Sequence, residues 1–467
     1  MKYSFLLLFL SPIFLNAQDK GDSLFIRKLF DNALSDGKCY EVLTHLCTQI
    51  GPRLSGSPGA AKAVEYAKEV MDQEKFDKVM LQECMVPHWV RGNASEVSVV
   101  SGGKPDILSS CALGGSISSG GKAIVAEVIE VQHLDELEKL GRAQIEGKIV
   151  FFSRPMKPTH IHTFEAYGGC VDQRGSGASK AAQYGAVGAI VRSMSLREDE
   201  FPHTGGMHYD TLYPKIPALA ISTAAATRLS KLLAVAKQPV KISLLCNSQM
   251  LPDTISHNVV GQLTGSKHPE QFLITGGHLD AWDNGQGAHD DGAGCVQSLE
   301  ALRLLKNSGY KPLHSMRAVM FMNEENGLKG GLKYAELAEK NGEKHLAAIE
   351  SDRGGFTPRG FAIEGEPDWV EKIAKFRPLL EPYGLNEFKK GGGGADIGPL
   401  KKSGTLCLGY IPDSQRYFDF HHAGSDRIEN VNKRELELGA ASIAAMLYLM
   451  DKYAFGDDSG NANQGPQ

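Results

Sequence analysis

After Pro252 the sequence settles into one repeating pattern: a short apolar run, a loop, then an amphipathic stretch. The apolar runs fall at 272–275, 318–322, 347–350 and 405–411, the amphipathic stretches at 292–306 and 328–340. The runs have strand length, and the stretches have helix length with apolar residues three and four apart. Strands alternating with helices build a largely parallel sheet covered by helices on both faces. The expected class is therefore α/β, a three-layer sandwich around a mixed, largely parallel sheet.

Open sheets of this kind carry their chemistry just past the C-terminal ends of the strands. The sequence puts ionisable residues there. His278-Leu279-Asp280 follows the first run, and His289-Asp290-Asp291 precedes the first helix. Glu324-Glu325 follows the second run, and Glu350-Ser351-Asp352 closes the third. His421-His422 and Asp426 lie near the C-terminal end. Each segment alone is ordinary, since two adjacent glutamates usually mark a solvated turn. As a set, imidazoles and carboxylates on one sheet edge are the donors that zinc accepts in catalytic sites.

The stretch 101–250 has another texture. Apolar runs at 123–125, 147–152, 188–191 and 216–221 alternate with glycine, around an alanine-rich helix at 178–184. This predicts a β-rich insert that divides the sheet-forming part into 18–100 and 251–455. In the first of these, 20–48 reads as helical and 79–86 as a strand. Ser57-Pro58 opens a helix, with serine as cap and proline in the first turn. The polar end, 456–467, predicts a disordered tail.

Composition excludes several classes. With 50 basic and 55 acidic residues among 467, the chain is not a nucleic-acid binder. An apolar content of 42% excludes disorder. Residues 1–17 have the form of a signal peptide: Lys2, an apolar run from Phe5 to Leu10, and Ala17 as the small residue before a cut. The apolar run is too short to span a membrane and contains Pro12 nearby, so no membrane attachment is expected after removal of the signal. A secreted or periplasmic protein is the expectation. The eight cysteines show no C-x-x-C spacing and are expected as buried small apolar groups.

Several segments together carry a family resemblance: His278-Leu279-Asp280-Ala281-Trp282-Asp283, Gly285-Gln286-Gly287-Ala288, Asp290-Asp291-Gly292, Glu324-Glu325, Glu350-Ser351-Asp352 and His421-His422. Further likeness lies in Gly51-Pro52-Arg53-Leu54-Ser55-Gly56-Ser57 and Trp89-Val90-Arg91-Gly92. The chain resembles the zinc aminopeptidase and glutamate carboxypeptidase family with co-catalytic metals. The insert, through Lys180-Ala181-Ala182 and Gly185 to Ala189, is similar to a protease-associated domain.

The resemblance implies two zinc ions per chain. His278, Asp290 and Asp352 would hold one, and Asp290, Glu325 and His422 the other, with Asp290 between them. Glu324 would be the general base. Asp280 would orient His278 through its other ring nitrogen, and Asp426 would do the same for the second metal. His421 competes with His422, and the four-residue spacing to Asp426 favours His422. The implied reaction is hydrolysis of short unblocked peptides, dipeptides first, and a homodimer is implied as well. Asp283 and Asp396 are candidates for recognising a free amine, and Lys389, Lys390 and Arg416 for a free carboxylate. Gly391 to Gly394 predicts either a mobile loop or a close backbone approach to ligand. His203-Thr204-Gly205-Gly206 is placed at the cleft. Competing readings are an amidohydrolase on N-acyl amino acids, a one-zinc acyltransferase of glutaminyl-cyclase type, and a non-catalytic binding protein of transferrin-receptor type.

Overall fold

The computed structural model describes residues 17–93, 95–101 and 104–456, with side chains from 20 onward. The expected signal segment and the polar tail lie outside the described residues, apart from Ala17 and Gly456.

One mixed sheet of eight strands forms the main body. Its centre is parallel: His314–Phe321, His268–His278, Lys344–Glu350 and Leu406–Pro412 lie side by side. Antiparallel strands flank that centre. Gln249–Leu263 and then Lys78–Val90 extend one side, and Pro358–Glu364 with Glu387–Lys390 the other. Side chains alternate between the faces of a strand, and the two faces have separate cores. Leu273, Met316, Ala318 and Met320 turn toward the helices Pro58–Gln73, Ala293–Asn307 and Lys433–Leu449. Ile274, Val319 and Phe321 turn the other way, toward Tyr334 and Ala338 of the helix Lys329–Lys340. The sandwich expected from alternation is present, and its sheet is mixed. Ser57 caps its helix as predicted, its hydroxyl accepting from the Ala60 amide at 3.1 Å.

A second eight-stranded mixed sheet draws its strands from between residues 95 and 246. Its centre, Ile124–Val131, Ile149–Phe152, Gly188–Arg192 and Ala218–Ile221, is parallel. The helices Asp172–Gln183 and Thr223–Val235 accompany it. The insert was expected to begin at 101, but the strand Ser95–Val99 already belongs to this sheet.

Of the elements that escaped the sequence pattern, two show why. Gln249–Leu263 is one strand of 15 residues that runs straight through the expected boundary at 250. Pro252 suggested a break because proline cannot donate to a ladder. The strand tolerates it where its pairing with Lys78–Val90 shifts register, between Val86 and His88. Pro358–Glu364 begins with proline and contains glycine, which hid it.

The two sheets meet over the strand ends. Trp282 packs edge-on against Trp89 and fills the space where Gly114 would carry a Cβ. Arg91 forks onto the Asp283 carboxylate at 3.0 and 3.1 Å and also reaches the Ala112 carbonyl. Met156, Ala166 and Met194 of the insert pack with Phe356, Phe418 and Phe420. All eight cysteines are buried, as expected for most of them, and all eight are unpaired.

Candidate metal centre

The residues expected at the strand ends converge beneath this junction. His278 ends the central strand; its ring is buried, with Nε2 3.3 Å from Asp290 Oδ1 and 3.6 Å from Asp352 Oδ1. The other oxygen of Asp290 faces a second group: His422 Nε2 lies 3.4 Å from Oδ2 and 3.1 Å from Glu325 Oε2. Asp290 is thus shared between two donor clusters. His421 stacks on His422 with ring centres 3.5 Å apart, and its Nε2 stands farther from Asp290, at 3.9 Å. His422 therefore fits the second cluster better, since it is nearer Asp290 and also meets Glu325.

The loops that carry these residues are braced by neighbouring groups. The Asp291 carboxylate accepts from the amides of His278 (3.1 Å) and Gly294 (2.9 Å), which ties the strand end to the following helix. Glycine is needed at 277 and 294 because this carboxylate lies against both Cα atoms. Arg53 is fully buried and donates to the carbonyls of Leu279, Gln286 and Gly287, bracing the loop that leads to Asp290. His422 and Asn323 hold φ values of +62° and +73°. Left-handed backbone of this kind, outside glycine, concentrates at functional sites.

Two expected orienting roles turn out differently. The His278 Nδ1 does face Asp280, but its near partner is the main-chain carbonyl at 2.9 Å, with the carboxylate at 3.9 Å. The Asp280 carboxylate instead accepts from the amides of Asn323 (2.6 Å) and Glu324 (3.1 Å), fixing the turn that carries Glu324. Asp426 likewise accepts from the amides of His289 and Asp290, not from His422. The Nδ1 of His422 faces the Thr204 carbonyl of the insert at 3.3 Å. Both carboxylates reach the centre through main-chain amides, which spacing between side chains does not reveal.

The cleft over these clusters has a volume of about 530 Å³. Glu324, Glu325, Asp352 and His422 line it from the main body, with Tyr417 above Asp352 at 3.4 Å. Arg174, Tyr167 and Gly206 line it from the insert. Tyr417 and Arg174 were invisible to sequence reasoning, because neither sits in a motif and both arrive by long-range packing. The other specificity candidates are engaged elsewhere or lie off the cleft. Asp283 pairs with Arg91, Lys389 with Glu387, and Arg416 with Glu435. Lys390 is exposed at a strand end, and Asp396 is buried off the cleft. The glycine run approaches protein, not the cleft: Gly394 packs on the Glu350 carboxylate, which accepts from the amides of Ala395 and Ile397.

The electrostatics suit cations. Burial pushes Glu324 up to about 8, and repulsion from Asp352 and Asp290 adds to this. Burial and the Asp290 charge raise Glu325 as well. Burial lowers His422 far below its usual range, so its ring is neutral and able to act as a donor. Buried Asp290 Oδ2 and Glu325 Oε1 have no hydrogen-bond partner. Unpaired oxygens of this kind are costly. Here they converge with the neutral His422 imidazole, and imidazole with carboxylate is the donor set that zinc takes. The residues present fit metal ions.

Comparison with known proteins agrees. The model of the family described as peptidase family M28 matches residues 258–447. Human carboxypeptidase Q is 34% identical over 420 residues, covering 89% of this chain and 86% of its own. The crystal structure of a peptidase M28 precursor from Shewanella amazonensis SB2B superposes with a TM-score of 0.88 at 31% identity, over 93% of this chain and 97% of that one. A zinc aminopeptidase from Bacillus subtilis shares the fold at a TM-score of 0.63 and 20% identity, over 88% of this chain and 93% of its own. Fold, donor set and relatives together define a metallo-exopeptidase. The chain belongs to peptidase family M28, with the carboxypeptidase Q proteins among its relatives.

Proposed function

We propose that this protein is a two-zinc exopeptidase that hydrolyses short unblocked peptides, dipeptides first. The observation that carries the reading is the sharing of Asp290, one oxygen toward His278 and Asp352, the other toward His422 and Glu325. His278, Asp290 and Asp352 would hold one ion, and Asp290, Glu325 and His422 the other. Such ions acidify nearby water and draw charge from a scissile carbonyl oxygen. The chain supplies the proton traffic. Glu324 lines the cleft beside these donors, and its main chain is pinned by Asp280. Its carboxylate takes a proton from the attacking water and passes it to the leaving amine nitrogen.

The insert built on 95–246 acts as a lid of protease-associated type. It roofs the cleft with Arg174, Tyr167 and Gly206, which favours small substrates. Removal of residues 1–17 would place the enzyme outside the cytoplasm, and a mature terminus at Gln18, read by mass spectrometry, is the expected result. Among the described residues no helix is long and apolar enough to cross a membrane. A homodimer is part of the reading, and Leu81, Met85, Met250 and Ile255 stand exposed on the outermost strands. Sedimentation of the zinc-loaded protein tests it.

The activity test uses one hydrophobic dipeptide with its N-acetylated and C-amidated forms. Loss of cleavage with either block is the dipeptidase result. Loss with N-acetylation alone assigns an aminopeptidase. No cleavage of any form by zinc-loaded protein overturns the peptidase reading and leaves the amidohydrolase, cyclase and binding readings.

A further inference from the structure

We infer that Arg174, carried into the cleft by the insert, binds the free α-carboxylate of the substrate and so makes the enzyme count residues from the C-terminal side. This rests on the dipeptide reading above and names the group that enforces it.

Three observations lead to Arg174. The basic residues expected to meet a carboxylate, Lys389, Lys390 and Arg416, do not line the cleft. Among the described residues Arg174 is the one lysine or arginine that does. Its present contacts also leave it short of acceptors. The guanidinium lies over the Tyr167 ring at 5.6 Å, and Nη1 is 3.5 Å from the Thr204 carbonyl and 3.2 Å from His422 Nδ1. Nε is buried without a partner, and among the described residues no carboxylate pairs with it.

The contact with His422 cannot survive metal binding. A neutral imidazole carries one proton. If Nε2 is to act as a metal donor, the proton must sit on Nδ1, where it can be donated to the Thr204 carbonyl at 3.3 Å. A protonated Nδ1 accepts nothing from arginine. Loading the site therefore strips Arg174 of an acceptor while it faces a small cleft. A planar guanidinium with several unused N–H groups matches a carboxylate fork.

The placement sets a length. Arg174 Nη1 stands one imidazole ring away from the donor face of His422. One residue of extended chain spans about 3.3–3.6 Å. A carboxylate one residue beyond the scissile carbonyl meets the guanidinium, whereas a longer peptide must push past it. The position is built tightly. A Cβ on Gly205, whose φ is +129°, would lie 2.6 Å from both the Arg174 Cζ and His422 Nδ1.

The test compares a hydrophobic dipeptide with its C-amide on wild type, Arg174→Met and Arg174→Lys, with zinc content measured for each. In wild type kcat/KM for the free acid should exceed that for the amide at least tenfold. In Arg174→Met that ratio should fall at least tenfold, through a higher KM for the acid. Arg174→Lys should recover part of it, since it keeps the charge and loses the fork. Isothermal titration of the free leaving amino acid should show the same weakening without any turnover. A preference for the acid that persists in Arg174→Met overturns the clamp and leaves the dipeptide reading standing. No preference in wild type overturns both. Loss of zinc from Arg174→Met overturns the clamp and makes Arg174 a positioning residue for His422.

Discussion

Neighbouring carboxylates in this centre differ by what touches them. Both glutamates line the cleft, but Glu325 meets His422 at 3.1 Å, whereas Glu324, one residue earlier, has its amide fixed by Asp280. Glu324→Gln should keep both clusters and their metal while lowering kcat by about 10²–10⁴-fold. Metal analysis alongside kinetics checks this, and full activity in the variant would remove Glu324 as the base. The metal-free site also sets a pH dependence. Burial pushes Glu324 up to about 8, helped by Asp352 and Asp290, so below that pH the empty site holds extra protons. Cations must displace those protons to bind. Zinc affinity, measured by chelator competition, should therefore climb with pH, and an affinity independent of pH would remove this reading. The donors themselves were legible in the sequence because the fold confines them to strand ends. Their supports were not: Asp280 and Asp426 act on backbone amides, and no residue spacing encodes that.

Strand and helix positions were readable wherever pattern and propensity agreed. Ala293–Asn307 and Lys329–Lys340 fall within a residue or so of their expected spans. Gln249–Leu263 was missed because a proline in a long edge pairing mimics a boundary. Packing between elements depends on a few polar anchors. Asp22, buried on the helix Ala17–Asp36, accepts from Tyr448, Lys452 and Tyr453 at the far end of the chain. Burial alone would raise its carboxyl, but these three donors hold it below the usual value. A carboxyl held low stabilises the fold above its unfolded pKa of about 3.9, and the benefit disappears as pH falls through the folded value. Asp22→Asn should cost about 1.5–3 kcal/mol at neutral pH. The gap from wild type in urea melts should close at acid pH; a gap that stays constant would mean a packing effect. Between the sheets, Arg91 and Asp283 are 13% and 29% exposed. A double-mutant cycle on this pair should give a coupling of about 1–3 kcal/mol. A value near zero would remove it as a junction anchor.

For the whole molecule, the two sheets share one centre. His203 bridges to Ala423, and the Thr204 amide donates to the His422 carbonyl at 2.9 Å. Metal binding should therefore stabilise both sheets together. Zinc at a hundredfold over its dissociation constant adds about 2.7 kcal/mol. Calorimetry should show one transition that moves upward as a unit; a split transition would mean the sheets melt separately. Sequence reasoning placed His203 to Gly206 at the cleft but could not show that this segment holds His422 by its backbone. Contacts between residues this far apart leave no local pattern to read.

That join has a consequence in time. Thr204 and His422 are separated by 218 positions. At about 5–20 residues per second a ribosome takes roughly 10–40 s to cover that distance. The main sheet's earlier donors, from His278 to Asp352, all emerge before their last companion. The last 70 positions, from Asp352 to His422, take roughly 4–14 s, during which the nascent chain still lacks His422. On the proposed ligand set hydrolytic competence arrives late and all at once, so a chain released early should be inert rather than weakly active.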